Sequence, residues 1–239
     1  PQSHTAGLAP YFREYLRGYM KGWIKDYEKR TGRELDLYSG GLKIYTTINA
    51  EMQQNAEEAV QEHLSNYQRI FDIIKEDRKY GPFYFDEDPA GNVKRIVDRA
   101  MKNTQRYRGM KRRGASQDSI QKAFTTPIPM TVFTWQGDKD TVLSPRDSII
   151  YYKGLYQVGM MSVEPQSGHV KAWVGGNDYQ YFKYDHVKQG KRQVGSTFKP
   201  FVYASAILEK NYSPCMEVPN AKICIEKGEF GLLEDWCPS

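Results

Sequence analysis

Tyr156-Gln157-Val158-Gly159-Met160-Met161-Ser162-Val163, then Glu164-Pro165-Gln166-Ser167-Gly168, then His169-Val170-Lys171-Ala172-Trp173-Val174 is the stretch that decides the fold. Two runs rich in β-branched, aromatic and other apolar residues flank five residues of turn chemistry, the pattern of an antiparallel hairpin. Gly175-Gly176-Asn177-Asp178 ends the second run. Further on, the polar turn Gly195-Ser196-Thr197-Phe198-Lys199-Pro200 feeds the apolar run Phe201 to Leu208, read as a helix. A hairpin followed by an apolar helix predicts an α+β fold, with the Ser196 helix packed on an antiparallel sheet.

Working towards the N-terminus, Thr131-Val132-Phe133-Thr134-Trp135 reads as a short strand ending in the turn Gln136-Gly137-Asp138, and Ser116 to Phe124 as a helix. Before them lies a basic segment. Lys94 to Arg113 holds nine Lys/Arg and one acid, Asp98, a local charge of +8; the whole chain is +5, so the remainder sums to −3. Val93, Ile96, Val97, Ala100, Thr104 and Tyr107 share one helical face there, which leaves the cations mostly on the others. The bland reading is a solvated cationic face; the sharper one binds an anionic polymer or lipid headgroup. No helix-turn-helix, finger or RNA-binding signature accompanies it, so nucleic acid is not expected.

Nearer the start, Leu42-Lys43-Ile44-Tyr45-Thr46-Thr47-Ile48 reads as a strand after the turn Ser39-Gly40-Gly41. Asn49 caps a following helix whose buried stripe is Met52, Ala56, Ala59, Val60 and Leu64. Tyr11, Phe12, Tyr15, Leu16, Tyr19, Met20, Trp23, Ile24 and Tyr27 form a helical stripe that Gly32 stops. Core packing is the plain reading of that aromatic face. A membrane-surface helix, with Lys21, Lys25, Lys29 and Arg30 at the headgroups, is its rival.

Composition excludes several classes. Aromatics stand at 13% of the 239 residues, too many for wholesale disorder. No apolar run approaches the ~20 residues of a membrane span. Pro1-Gln2-Ser3-His4 carries no initiator Met, basic region or apolar region, so the chain reads as an excised piece with no signal peptide. Cys215, Cys224 and Cys237 have no C-x-x-C and no neighbouring His, which leaves no metal site and no cofactor to propose. They read either as three small buried residues or, in an oxidising compartment, as one disulfide plus an odd thiol.

Ser196 and Lys199 are the residues with chemistry. At i, i+3 at a helix start they share a face, which suits a serine nucleophile with a lysine base. The free backbone N–H groups of the helix N-terminus suit a developing oxyanion. S-x-x-K alone is weak evidence, and the alternative is a capping serine beside a snorkelling lysine. A second match, Ser119-Ile120-Gln121-Lys122, lies in a polar setting and serves as an internal control.

The surroundings carry more. Ser162 to Gly176 and Gly190-Lys191-Arg192-Gln193-Val194-Gly195-Ser196-Thr197-Phe198-Lys199-Pro200-Phe201-Val202-Tyr203 resemble the start of the transpeptidase domain of class A penicillin-binding proteins, the bifunctional peptidoglycan synthases. Gly41 to Ile48 with its acidic helix resembles the linker between that family's two enzymatic domains. The Ala9-Pro10-Tyr11-Phe12-Arg13 opening and the long middle resemble Bacteroidetes-type members. The resemblance implies Ser196 as acyl-accepting nucleophile and Lys199 as general base, peptidoglycan stem peptides as substrates and β-lactams as acylating ligands. It also implies the periplasmic face of the inner membrane, with membrane contact only through an N-terminal anchor outside the chain, and cell-wall synthesis proteins as further partners. The family's S-x-N and K-T/S-G elements have no counterpart after Ser196: Ser213-Pro214-Cys215 and Lys227-Gly228-Glu229 do not match.

The expected organisation is therefore a linker over residues 1–64, a largely helical insertion over 65–154 and the first part of a transpeptidase domain over 155–239. As a piece of such an enzyme the chain is expected to be inactive by itself. The alternative is a non-catalytic interaction module that binds anionic cell-wall polymer, lipid or a partner protein.

Overall fold

The computed structural model describes residues 7–76, 78–83, 87–88, 90–217 and 224–237. They fall into two compact units, 1–190 and 191–239. In the first, α1 (Pro10–Thr31) starts on Pro10, where a missing N–H is harmless, and ends on Gly32 at φ +68°. Helix α2 (Ala50–Glu76) is capped by Asn49, whose Oδ1 accepts the Met52 N–H at 2.9 Å. It runs on well past Leu64, through the position where a segment boundary is expected. Then come α3 (Asn92–Asn103), α4 (Gln105–Arg112) and α5 (Gln117–Thr125), the hairpin β1 (Ile128–Thr134)–β2 (Gly137–Leu143), and α6 (Pro145–Lys153). The hairpin β3 (Met160–Val163)–β4 (Val170–Val174) and the short α7 (His186–Gln189) close the unit. Both hairpins are antiparallel and two-stranded.

The α+β class holds, and the second hairpin lies where its sequence places it. At its tip the Ser167 hydroxyl donates to Glu164, and Lys171 lies 3.6 Å from the same carboxylate. Together they hold the Glu164 carboxyl below its ordinary range. Other expectations need correction. Residues 42–48 form no strand. Only Thr47 and Asn49 reach β4, at Val170 O and Lys171 O, and the next backbone groups of that edge are taken by a side chain, Gln53. The basic segment is two helices rather than one, broken at Thr104, whose side chain caps α4. Strand β2 escapes the sequence because Gly137-Asp138-Lys139-Asp140 is exposed and has no apolar alternation. Helix α6 also escapes it, although Ser144-Pro145-Arg146-Asp147 is a capping signature: Ser144 Oγ accepts from Asp147 N and donates to Asp147 Oδ2 at 2.6 Å.

Among the described residues, three apolar clusters hold this unit. Ala56 and Val60 of α2 meet Ala172 and Val174 of β4. Val97, Met101, Ile120 and Phe124 join α3 to α5, with Ile149 and Ile150 of α6 packed on them. Phe133, Trp135 and Leu155 form the third, ringed by Tyr151, Tyr152, Tyr181 and Phe182. Met52 and Ala59, expected in the buried stripe of α2, are exposed; Gln53, Gln68 and Phe71 are buried instead.

The second unit comprises a 3₁₀ turn, Gly195–Phe198, running into α8 (Lys199–Lys210), and a short segment closed by the Cys224–Cys237 disulfide and an Ile225–Trp236 bridge. None of its described residues is buried. Helix α8, expected to be packed, carries Phe201 at 67% and Leu208 at 79% exposure, because a unit this small offers its apolar residues no core.

Candidate functional site

Ser196 and Lys199 both lie at one helix start. Gly195 sits at φ +51°, a left-handed conformation that favours glycine, and turns the chain into the 3₁₀ segment. Thr197 ties that turn down through its N–H and hydroxyl, both donating to Val194 O. Ser196 lies within that 3₁₀ turn and Lys199 is the first residue of α8. The Lys199 N–H donates to Ser196 O across the junction, and Pro200 occupies the first turn of α8, where its missing donor costs nothing. Both side chains are exposed, and among the described residues no hydrogen bond joins Ser196 Oγ to Lys199 Nζ. The Phe198 and Phe201 rings lie 5.5 Å apart beside them.

The internal control behaves as a surface pair. Ser119 and Lys122 are both exposed on α5; Ser116 caps that helix, accepting from Ser119 N, and its hydroxyl donates to Ser119 Oγ at 2.9 Å. The cysteines follow the second of their two readings: Cys224 and Cys237 are bonded, Cys215 is free, and all three are exposed rather than buried.

What the sequence reading missed is a set of polar side chains that tie the elements of the first unit together. Three glutamines on α2, at positions 53, 61 and 68, each grip backbone from another element. The fully buried Gln53 accepts from Trp173 N at 2.7 Å and donates to Trp173 O at 3.0 Å, as a neighbouring strand would. Gln61 donates to Trp135 O, while Gln68 donates to Gly154 O at 2.8 Å and accepts from Tyr156 N at 2.9 Å. Spacings of eight and seven residues put all three near one helix face, a signal a search for apolar stripes passes over. Glu57 Oε1 accepts from both Gln53 Nε2 and Ala9 N, tying α1 to α2.

At the end of β4, Tyr11 lies across Gly175-Gly176. A Cβ on Gly176 would stand 2.3 Å from the Tyr11 hydroxyl oxygen, so the glycine pair is there for close approach. Tyr11 is buried and donates to Phe182 O at 2.8 Å; burial, then Asp178 and Asp185, push its phenol well above the ordinary range. Buried Asp185 accepts from the Trp173 indole at 3.1 Å and from Val187 N and Lys188 N. These groups are structural and sit in the first unit.

Residues 78–156 match the penicillin-binding protein middle domain family. The segment expected to be an insertion thus overlaps a recognised domain. Penicillin-binding protein 1A of Haemophilus influenzae is 27% identical over 215 residues, covering 83% of this chain and 24% of that protein. Penicillin-binding protein 1A of Neisseria flavescens is 28% identical over 228 residues, with 85% and 28% covered. Penicillin-binding protein 2D of Bacillus subtilis is 28% identical over 162 residues, with 68% and 20% covered. The crystal structure of the H. influenzae protein aligns with a TM-score of 0.46 and 21% identity over 96% of this chain and 34% of that one. The chain therefore spans about a quarter of the length of the curated relatives it matches. Among the described residues no helix is long and apolar enough to cross a membrane.

Proposed function

We propose that this chain is a segment of a class A penicillin-binding protein, a reading that the middle-domain match over residues 78–156 supports, and that it supplies the nucleophile and base of a peptidoglycan D,D-transpeptidase. The observation that supports the proposal is the placement of Ser196 and Lys199, three residues apart, at the head of α8. Ser196 Oγ bonds to the carbonyl carbon of a stem peptide's D-Ala-D-Ala link while the neutral Lys199 amine takes its proton. Backbone N–H groups at the helix start draw the oxyanion. Collapse breaks the C–N bond, and Lys199 returns the proton to the departing D-Ala amine. An acceptor amine of a neighbouring strand then attacks the ester and frees Ser196. A β-lactam enters by the same first step. The exposed disulfide fits an oxidising compartment, in keeping with the periplasmic face of the inner membrane.

A lysine serves as base only where burial or neighbouring positive charge favours its neutral form. Lys199 is exposed, so the working site needs further enclosing elements, and this chain by itself is inactive. The test is labelling of the longer enzyme with fluorescent penicillin beside its Ser196→Ala variant. Labelling that vanishes in the variant is expected; labelling that persists there overturns the assignment of Ser196.

A further inference from the structure

The nine cations between Lys94 and Arg113 are all exposed, on α3, α4 and the turn after them. Only Lys94 has a carboxylate partner among the described residues, Asp98 at 2.9 Å. Arg95 and Arg108 bond to neutral oxygens of Asn92 and Asn103. The apolar side of the segment is already used: Val97 and Met101 are buried against Ile120 and Phe124, with Tyr107 and Met110 packed on that cluster. The cations therefore stand on a fixed platform rather than on a loose tail. Arg95, Arg99 and Lys102, at i, i+4 and i+7, form a row along one face of α3.

We propose that this face docks on an anionic phospholipid surface. Fixed like charges at this density repel one another, and an anionic partner relieves that repulsion. The chemistry of the face selects the partner. No large apolar or aromatic side chain between Ile74 and Val142 is exposed among the described residues. The face thus lacks the stacking rings that single-stranded nucleic acid uses and the apolar wedge of an inserting helix. What remains is charge alone, which fits a planar surface of mobile phosphates that needs no registered geometry. The cleft beside the row, about 790 Å³, is lined by Lys94, Lys102 and Arg146 but also by Asp88 and Asp98. That mixture argues against a single buried anion as the ligand. The inference goes beyond the serine chemistry and does not depend on it.

The test is co-sedimentation of the 239-residue chain with phosphatidylcholine vesicles made with and without phosphatidylglycerol. Binding only to the anionic vesicles is expected, and its loss in 1 M salt, where the screening length falls to about 3 Å. Replacing Arg95, Arg99 and Lys102 by Gln should weaken binding about a hundredfold, at roughly fivefold per cation. A charge-matched control replaces the exposed Lys21, Lys25 and Lys29 of α1 by Gln and should retain most of the binding. Circular dichroism checks that both variants fold. Absence of binding to anionic vesicles at low salt overturns the proposal. Equal losses in the two variants also overturn it, since net charge and not this face would then be responsible. So does tighter binding to duplex DNA than to the vesicles at the same salt, which would make the partner a soluble polyanion.

Discussion

Replacing Gln53 by Met should unfold the first unit more readily than any change of its size predicts. Gln53 is completely buried, and its amide satisfies Trp173 N–H at 2.7 Å and Trp173 C=O at 3.0 Å on the edge of β4. Methionine fills nearly the same volume, so the packing change is worth less than about 1.5 kcal/mol. The two backbone groups are a different matter. Each buried group left without a partner costs about 1–3 kcal/mol, and residue 173 is 8% exposed, too little for water to take over both. The expected loss is therefore about 3–4 kcal/mol. In urea this lowers the midpoint by about 1 M or more at an ordinary slope for this size. Gln54→Met is the matched control: Gln54 is exposed and donates to Glu58, so its change should stay within about 0.5 kcal/mol. A Gln53→Met loss below about 1 kcal/mol would refute the reasoning that a side chain replaces a strand at this edge.

Further expectations concern the same frame and the serine turn. Gly176→Ala should destabilise by about 1–3 kcal/mol through overpacking against Tyr11, whereas Gly22→Ala in α1, with nothing within 4 Å of the added Cβ, should stabilise by about 0.5–1 kcal/mol; thermal melts of both variants test the opposite signs. Tyr11 keeps its proton in the folded state above its ordinary value of 10.0, while the unfolded chain releases it there. Its contribution is thus complete below about pH 10 and is lost as pH rises further. Tyr11→Phe should cost about 1 kcal/mol at neutral pH, from the bond to Phe182 O, and should make the alkaline decline shallower in unfolding curves taken across that range. The 239-residue chain alone should show no Ser196-dependent band with fluorescent penicillin; a band abolished by Ser196→Ala would mean that the exposed pair suffices.

How much could be read in advance follows from where each signal lies. The β3–β4 hairpin, α1 and α5 announce themselves by period and by turn or cap residues, and they stand within a few residues of where the sequence puts them. The Ser196–Lys199 spacing likewise places both residues at one helix start. Residues 42–48 mislead because β propensity speaks for a strand while the edge it would pair with is occupied by Gln53, a contact 120 residues distant in sequence. The run of α2 past Leu64 is legible in Tyr67, Phe71 and Ile74, which continue the apolar spacing, whereas the polar docking groups Gln61 and Gln68 give no such signal. The exposure of α8 is legible only in part: its composition is that of a core helix, and its burial depends on what lies around it.

The most direct test of the central claim is to find where penicillin attaches in the longer enzyme. Trypsin cuts after Arg192 and not between Lys199 and Pro200, so the reactive turn should fall in a peptide running from Gln193 to Lys210. Mass spectrometry of the acylated protein should place one penicilloyl adduct on Ser196 within that peptide. An adduct on any other residue, or an unmodified 193–210 peptide in a fully acylated protein, would contradict the account.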